Sequence, residues 1–226
     1  MNFSRQESRF NPAQFALKVA VIGLGGVGGD VVYELVKHGV SGVVGFDHDT
    51  VAPENPPGQL YRVRDAGQQK ATVLRDIVVE FADGEFTGFA HKVIEELPEA
   101  DVLFLCVDDM GARKSIMHAA FRSTGVRLVI ETRVDADSVV VFTVIPQNVE
   151  HQELWDHYWF PNEEAENNGG CSVPTSLGVT SSIAAQIAVN QLFNWFGNGE
   201  KDLALVSDHH IVVTLRPQFT ARAATW

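Results

Sequence analysis

Gly23-Leu24-Gly25-Gly26-Val27-Gly28 sets three glycines at the spacing G-x-G-x-x-G. Glycines there permit a tight turn and let a phosphate group approach backbone amides, and a helix starting at the turn adds partial positive charge. Asp47 follows Gly28 by 19 residues. A carboxylate at that distance accepts hydrogen bonds from ribose hydroxyls. A purely structural reading is available: the glycines only let a helix lie close to a strand, and Asp47 only caps a turn. Strand signal, glycine turn, helix signal and acid occurring together favour nucleotide binding. The motif does not choose the nucleotide, and NAD is its usual partner.

The elements needed to position these residues are legible around them. Lys18 to Ile22 is a short apolar run with β-branched residues, the signature of a buried strand. Val32, Leu35 and Val36 recur at helical spacing after the glycines, and His38-Gly39 closes that helix. Val43 to Phe46 is a second strand ending at Asp47. A loop from Asp49 to Arg64 holds three prolines. The spacing of Val73, Ile77 and Phe81 predicts a helix over 66–81, and Phe86 to Phe89 reads as a strand. Val102 to Val107 is a buried strand followed by a helix from Met110 to about Ser123. Leu128 to Glu131 and Val139 to Ile145 are further strands. Gln147 to Val173 has no clean periodicity, and a segment of that length inside a compact domain is functional or disordered. A last helix is expected from about Ser176 to Phe196 with Val179, Ile183 and Ile187 on one face. An edge strand is expected over Ile211 to Leu215. The alternation predicts an α/β, Rossmann-like fold with a mostly parallel sheet, helices on both faces and antiparallel strands on the far side.

The whole chain, 1–226, is expected to form a single domain, with 147–173 a crossover loop within it. Its net charge of −12 repels nucleic-acid backbones, so no nucleic-acid partner is expected. The same charge repels a nucleotide triphosphate, so any such site needs its own local cations. No apolar run has the length of a membrane span, and Met1 to Gln6 lacks the apolar core of a secretory signal. Two cysteines, Cys106 and Cys171, give no disulfide framework. A reducing cytoplasmic location is therefore expected, with no membrane partner.

The residues after Asp47 redirect the nucleotide assignment. They read Asp47-His48-Asp49-Thr50-Val51, then Asn55-Pro56-Pro57-Gly58-Gln59-Leu60-Tyr61, then Asp65-x-Gly67-x-x-Lys70, and later Val107-Asp108-Asp109-Met110-x-x-Arg113. In this order and spacing they resemble the ThiF/MoeB/HesA family, bacterial relatives of ubiquitin-activating enzymes, over roughly residues 3 to 196. The chain looks closest to a small stand-alone subgroup with a proline-containing N-x-P-x-Q-x-Y segment. The resemblance implies an ATP-dependent adenylyltransferase. Such an enzyme activates the C-terminal carboxylate of a ubiquitin-like or sulfur-carrier protein with a C-terminal glycine tail, releasing pyrophosphate. It implies that Lys70 contacts the phosphates and Asp108 holds Mg²⁺. Gly23, Gly25, Gly26, Gly28, Asp47, Asp49, Asn55 and Gln59 would surround ATP. Adenylation concentrates negative charge at the reacting phosphate, so positioned cations supply much of the rate. Taken without the motif, a lysine on a helix is usually a solvated charge, and Asp108 reads equally well as the N-cap of the helix near Met110.

The family carries an arginine where this chain has Gly58; Arg62 and Arg64 are the nearby cations. Phe3-Ser4-Arg5-Gln6 resembles the family's N-terminal [YF]-x-R-Q, which implies that Arg5 reaches the ATP site of a partner in a homodimer. The other reading is a loose basic N-terminus. Cys171 stands where relatives carry a crossover-loop cysteine, implying a catalytic thiol; a loop cysteine without a covalent role is the alternative. Cys106, among apolar neighbours, reads as a core residue. The family's paired C-x-x-C zinc site is absent, and His151, His157, His209 and His210 are expected on the surface.

Arg133, in Glu131-Thr132-Arg133 at the end of a strand, is positioned either to steady an incoming carboxylate or the crossover loop, or to form a surface ion pair. Trp155, Tyr158, Trp159 and Phe160 are either partner anchors or cover for the chain's own sheet. Two other functions compete. A nicotinamide oxidoreductase uses the glycine turn and Asp47 but gives Lys70, Asp108, Asn55 and Gln59 no shared task. A non-catalytic relative would bind ATP without turnover.

Overall fold

In the computed structural model, which describes residues 1–82, 84–162, 178–197, 210–215 and 220–223, a mixed sheet forms the centre of the molecule. The strands are β1 (Val19–Ile22), β2 (Val43–Phe46), β3 (Phe86–Phe89), β4 (Val102–Leu105), β5 (Leu128–Val134), β6 (Ser138–Val144), β7 (His210–Thr214) and β8 (Thr220–Ala223). The helices are α1 (Gly26–Lys37), α2 (Lys70–Phe81), α3 (Met110–Arg122), α4 (Val149–His157) and α5 (Gly178–Gly197). Strand order is β3-β2-β1-β4-β5-β6-β7-β8. The first five in that order run parallel, and β6, β7 and β8 are antiparallel. The expected α/β architecture and the side on which the antiparallel strands lie are both present.

Strand periodicity divides the core in two. Val19, Val21, Val102, Phe104 and Ile130 face a cluster built with α1, α2 and α5. Ala20, Ile22, Leu103, Leu105 and Val129 face the opposite cluster, which includes Ile116, Met117 and Trp155. β1 and β4 are buried on both faces, as their unbroken apolar runs require. The strand order reverses between β1 and β4, which leaves a crevice at their carboxyl ends, where open sheets of this kind bind ligands.

Several sequence expectations are corrected. The second helix begins at Lys70, not Ala66, because Val63–Asp65 forms a 3₁₀ turn and Gly67 takes φ +86°. Val73 and Ile77 are buried, but Phe81 is 64% exposed and only meets the Tyr33 ring edge-on. β5 and β6 extend to a hairpin at Asp135–Asp137, so Glu131, Thr132 and Arg133 lie inside a strand. In α5, Val179 is 62% exposed, while the buried face is Ala184, Ala185, Ala188, Leu192 and Trp195; small alanines let α5 approach α1 closely. The aperiodic 147–173 region contains α4, capped where the Asn148 side chain accepts from the Glu150 and His151 amides. β7 is not the edge, since β8 pairs outside it.

Candidate nucleotide-binding site

A cavity of about 630 Å³ opens at the carboxyl ends of β1, β2 and β4. Its floor is the glycine turn. Gly23 sits at φ +86°, and a β-carbon there would lie 2.8 Å from the Cys106 carbonyl. A β-carbon on Gly28 would come within 1.8 Å of the Gly23 oxygen, so Gly28 lets α1 close onto the turn rather than lining the cavity. Gly25 differs: a β-carbon on it meets nothing within 4 Å. It would project into the open cradle where a phosphate can approach the backbone. Gly26 faces the Ser181 hydroxyl of α5 and the Gly58 carbonyl at 2.7 and 2.9 Å from its own ideal β-carbon, so α5 and the proline loop crowd the start of α1.

Asp47 is buried beside this turn. Its carboxylate accepts from the Leu24 amide at 2.7 Å and from the Asp49 amide at 2.8 Å, which fixes it between the glycine turn and the following loop. Lys70, buried at the first turn of α2, donates through Nζ to Asp49 Oδ2 at 3.0 Å, and its own amide bonds to the Asp49 carbonyl. Asp49 is half-exposed, so this pair contributes only about 0–1 kcal/mol and an arriving phosphate can compete for the ammonium.

Asp108 and Asp109 divide two tasks. Asp109 caps α3, accepting from the Ala112 amide at 2.5 Å and from Asn162 Nδ2 at 3.0 Å. The Ala112 bond, then the Asn162 bond, hold its carboxyl below the usual range. Asp108 is not the cap. It is exposed on the cavity wall, free of helix-capping duty. An oxygen donor with solvent around it suits Mg²⁺, which keeps several waters and takes few protein ligands. Asp47, His48 and Asp49 also gather ligand atoms within 4.8 Å. Asp47 already serves two amides and Asp49 serves Lys70, so Asp108 is the better-disposed acid.

Gln59 lines the cavity with its Oε1 buried and without a hydrogen-bond partner. A buried acceptor left open costs about 1–3 kcal/mol, and a nucleotide hydroxyl or amine would satisfy it. Asn55 is not brought into the cavity: its Oδ1 accepts from the Ala52 amide at 2.9 Å and shapes the proline loop. Tyr61 ties that loop to the glycine turn through a 2.6 Å bond to the Leu24 carbonyl.

Of the cations near Gly58, Arg62 is engaged elsewhere. Arg62 donates to Asp65 at 2.8 Å and to Glu80 at 3.3 Å, and neither Arg62 nor Arg64 lines the cavity. Lys92, just beyond β3, does line it, as do His91, Arg113 and Ser181. Sequence reading passed over Lys92, although its place after a parallel strand's carboxyl end was the available signal. Ser181 gave no local signal, because only the docking of α5 brings it there.

Arg5 lies far from this cavity. Gln6 Nε2 donates to the His38 carbonyl at 2.7 Å, Phe10 stacks on Phe193 at 4.0 Å, and Arg9 bonds Asn194. The N-terminal turn is thus docked at the far end of α1, about 18 Å of helix away from the glycine turn. It is not a loose segment, and Arg5 cannot serve its own cavity. Cys171 lies outside the described residues. Cys106 lines the cavity, and burial pushes its thiol up to about 11. The surface expectation for histidines is corrected at two positions. His151 is buried and accepts from the Ile145 amide, and His210 is buried and stacked on Phe142 at 4.4 Å. His157 is exposed and His209 lies outside the described residues.

Beside the cavity, Arg133 is not a surface ion pair. Glu131 has no exposure and accepts from Arg113 Nη1 and Arg133 Nε, each at 2.8 Å, and from the Trp155 indole. Trp155 is buried, while Tyr158, Trp159 and Phe160 line a second cavity.

The model of the ThiF family matches residues 12–220. The chain belongs to the ThiF family. Among curated relatives of this ThiF protein, ubiquitin-like modifier-activating enzyme 5 of Drosophila mojavensis is 24% identical over 88% of the chain, which spans 56% of that relative. The NEDD8-activating enzyme E1 catalytic subunit of Arabidopsis thaliana is 30% identical over 44% of the chain and 23% of its own length. The chain thus spans little more than half, or less, of these relatives. Solved structures share the fold at low identity. E. coli MccB with AMPCPP and MccA superposes with TM-score 0.74 at 18% identity, over 93% of this chain and 64% of MccB. PaaA gives 0.70 at 19% identity, over 93% and 73%. Among the described residues no helix is long and apolar enough to cross a membrane.

Proposed function

We propose that this ThiF-family chain is an ATP-dependent adenylyltransferase acting on the C-terminal carboxylate of a polypeptide, a ubiquitin-like or sulfur-carrier protein with a glycine tail. The observation that carries the reading is convergence: the open Gly25 cradle, the buried Lys70 ammonium and the exposed Asp108 carboxylate all border one cavity. Curated relatives are named as a ubiquitin-like modifier-activating enzyme and a NEDD8-activating enzyme, and MccB has been solved with ATP and with MccA. Both support a nucleotide and a polypeptide as substrates here.

In the reaction an acceptor carboxylate oxygen bonds to the α-phosphorus of ATP as the bond to pyrophosphate breaks. The glycine-turn amides and the start of α1 hold phosphate oxygens. Lys70, exchanging Asp49 for phosphate, stabilises charge that grows in the transition state. Asp47, held by two amides, accepts from the ribose, and Gln59 Oε1 accepts from a donor of the nucleotide. Lys92 supplies the second cation that the glycine at position 58 leaves out. Mg²⁺, held by Asp108, would neutralise the leaving pyrophosphate. Because the N-terminal turn is docked away from its own cavity, Arg5 acts only in a homodimer, on the partner's ATP.

ATP–pyrophosphate exchange with carriers ending in Gly-Gly tests the proposal. Exchange is expected, and Lys70→Ala and Asp108→Asn should each lower it by about 10²–10³-fold. ATP binding without exchange on any tailed carrier would reject the catalytic reading.

A further inference from the structure

The second cavity, about 510 Å³, lies on the exposed face of β5, β6 and β7, beyond the end of α4. Phe142, Tyr158, Trp159, Phe160 and His210 supply aromatic walls, and Arg133 stands among them. The Arg133 guanidinium lies 4.6 Å from the Phe142 ring centre and 5.5 Å from that of Phe160. Its Nε and Nη2 donate to Glu131 and its Nη1 donates to the Tyr158 carbonyl at 2.7 Å. Each terminal nitrogen carries two N–H bonds, so one on each remains without a partner among the described residues. The end of the guanidinium is therefore fixed in place with donors still available.

The charge balance in this wall is uneven. Glu131 is one buried anion shared by two buried arginines, Arg113 and Arg133, so Arg133 does not have a carboxylate to itself. Asp135, the acid among the described residues that line the groove, is engaged by the hairpin: it accepts from the Asp137 amide and from the Ser138 hydroxyl. Burial and Arg133 both push the His210 pKa down, so that ring stays neutral. The groove also adjoins the nucleotide cavity. Val134 borders both, and consecutive β5 residues face different cavities, Thr132 the nucleotide and Arg133 the groove. Extended chain advances about 3.3 Å per residue, so an acceptor whose terminal carboxylate lies at the nucleotide, and whose chain passes the end of β5 at the shared Val134, would bring its preceding few residues over this groove.

We propose that the Arg133 groove is a specificity site for the acceptor polypeptide, taking a side-chain carboxylate carried a few residues before the activated terminus. Arg133 meets that carboxylate end-on, the aromatic walls cover the aliphatic part of the side chain, and Glu131 is a positioning residue that keeps the guanidinium aimed. The inference rests on the adenylation reading for its substrate, but its test needs no turnover.

Fluorescein-labelled decapeptides ending in Gly-Gly, with Glu, Gln or Lys at the third, fourth or fifth position from the carboxyl end, are titrated by anisotropy in saturating AMPCPP. At one of these positions Glu should bind about tenfold tighter than Gln, as a hydrogen bond to a charged group predicts, and Lys weaker still. Arg133→Met, which keeps the aliphatic stem, should erase the Glu advantage. Val140→Trp, which fills the groove floor without touching the nucleotide cavity, should weaken every peptide at least tenfold and leave AMPCPP affinity unchanged. Equal binding of Glu and Gln peptides at all three positions, wild-type binding by Val140→Trp, or no peptide binding at all would overturn the inference. Failure of ATP–pyrophosphate exchange alongside a retained Glu preference would instead sink the adenylation reading alone.

Discussion

Glu131 has no solvent contact and is nonetheless charged. Burial alone would raise its pKa, but the Arg133 and Arg113 guanidiniums outweigh burial and hold it at about 2. A carboxyl lowered on folding stabilises the native state above its unfolded pKa, and that contribution disappears as pH falls from about 5 towards 2. Glu131→Gln leaves two buried cations with a neutral partner, so it should cost about 3–5 kcal/mol at pH 7 in urea unfolding. The variant should also lose less stability than wild type between pH 5 and 3. Equal slopes would mean that other carboxyls dominate acid unfolding. Two glycines separate shape from binding in the same way. Gly28→Ala drives a β-carbon against the Gly23 oxygen and should lower the melting temperature sharply. Gly25→Ala meets no atom, so it should fold normally and lose ATP affinity measured by calorimetry. The Cys106 thiol, pushed to about 11 by burial, should resist iodoacetamide at pH 8 until the chain unfolds.

At the scale of elements, adjacent acids at the start of α3 have different duties, and two substitutions tell them apart. Asp109→Ala removes the cap of α3 and should cost about 0.5–2 kcal/mol of stability. Asp108→Ala should leave the denaturant midpoint unchanged while abolishing metal-dependent exchange. The sequence offered Asp108 for both roles, because a cap is recognised by which side chain reaches the third amide, and two neighbouring aspartates are equivalent until the backbone turns. Boundaries failed for related reasons. α2 starts late because Gly67 adopts a positive φ, and α4 leaves no helical period in the sequence because its buried face amounts to His151 and Trp155 only. Phe81 keeps the four-residue spacing of Val73 and Ile77, yet as the last residue of α2 it is exposed while they are buried.

At the scale of the whole molecule, the N-terminal turn is fixed to α1 and α5 at the end opposite the nucleotide cavity. If Arg5 works in a homodimer, Arg5→Ala and Asp108→Asn should each be inactive alone. Mixing them should restore part of the exchange activity, since a mixed dimer holds one site with both residues intact. A protein that sediments as a monomer at assay concentrations, or a mixture without recovery, would remove Arg5 from the mechanism.

What the sequence determined by itself was local and ordered along the chain: the glycine turn after β1, Asp47 after β2, Lys70 opening α2, Asp108 after β4, and the strand–helix alternation that makes the sheet parallel. Each depends on contacts within a few residues or on periodicity, which spacing records. Tertiary structure decided the rest. It brought Lys92 and Ser181 to the cavity, turned Arg62 towards Asp65 and Glu80, took Arg5 away from its own site, and enclosed Glu131 between two arginines. Those outcomes depend on which distant elements touch, and a side chain's partners across a sheet leave no imprint on the residues beside it in sequence.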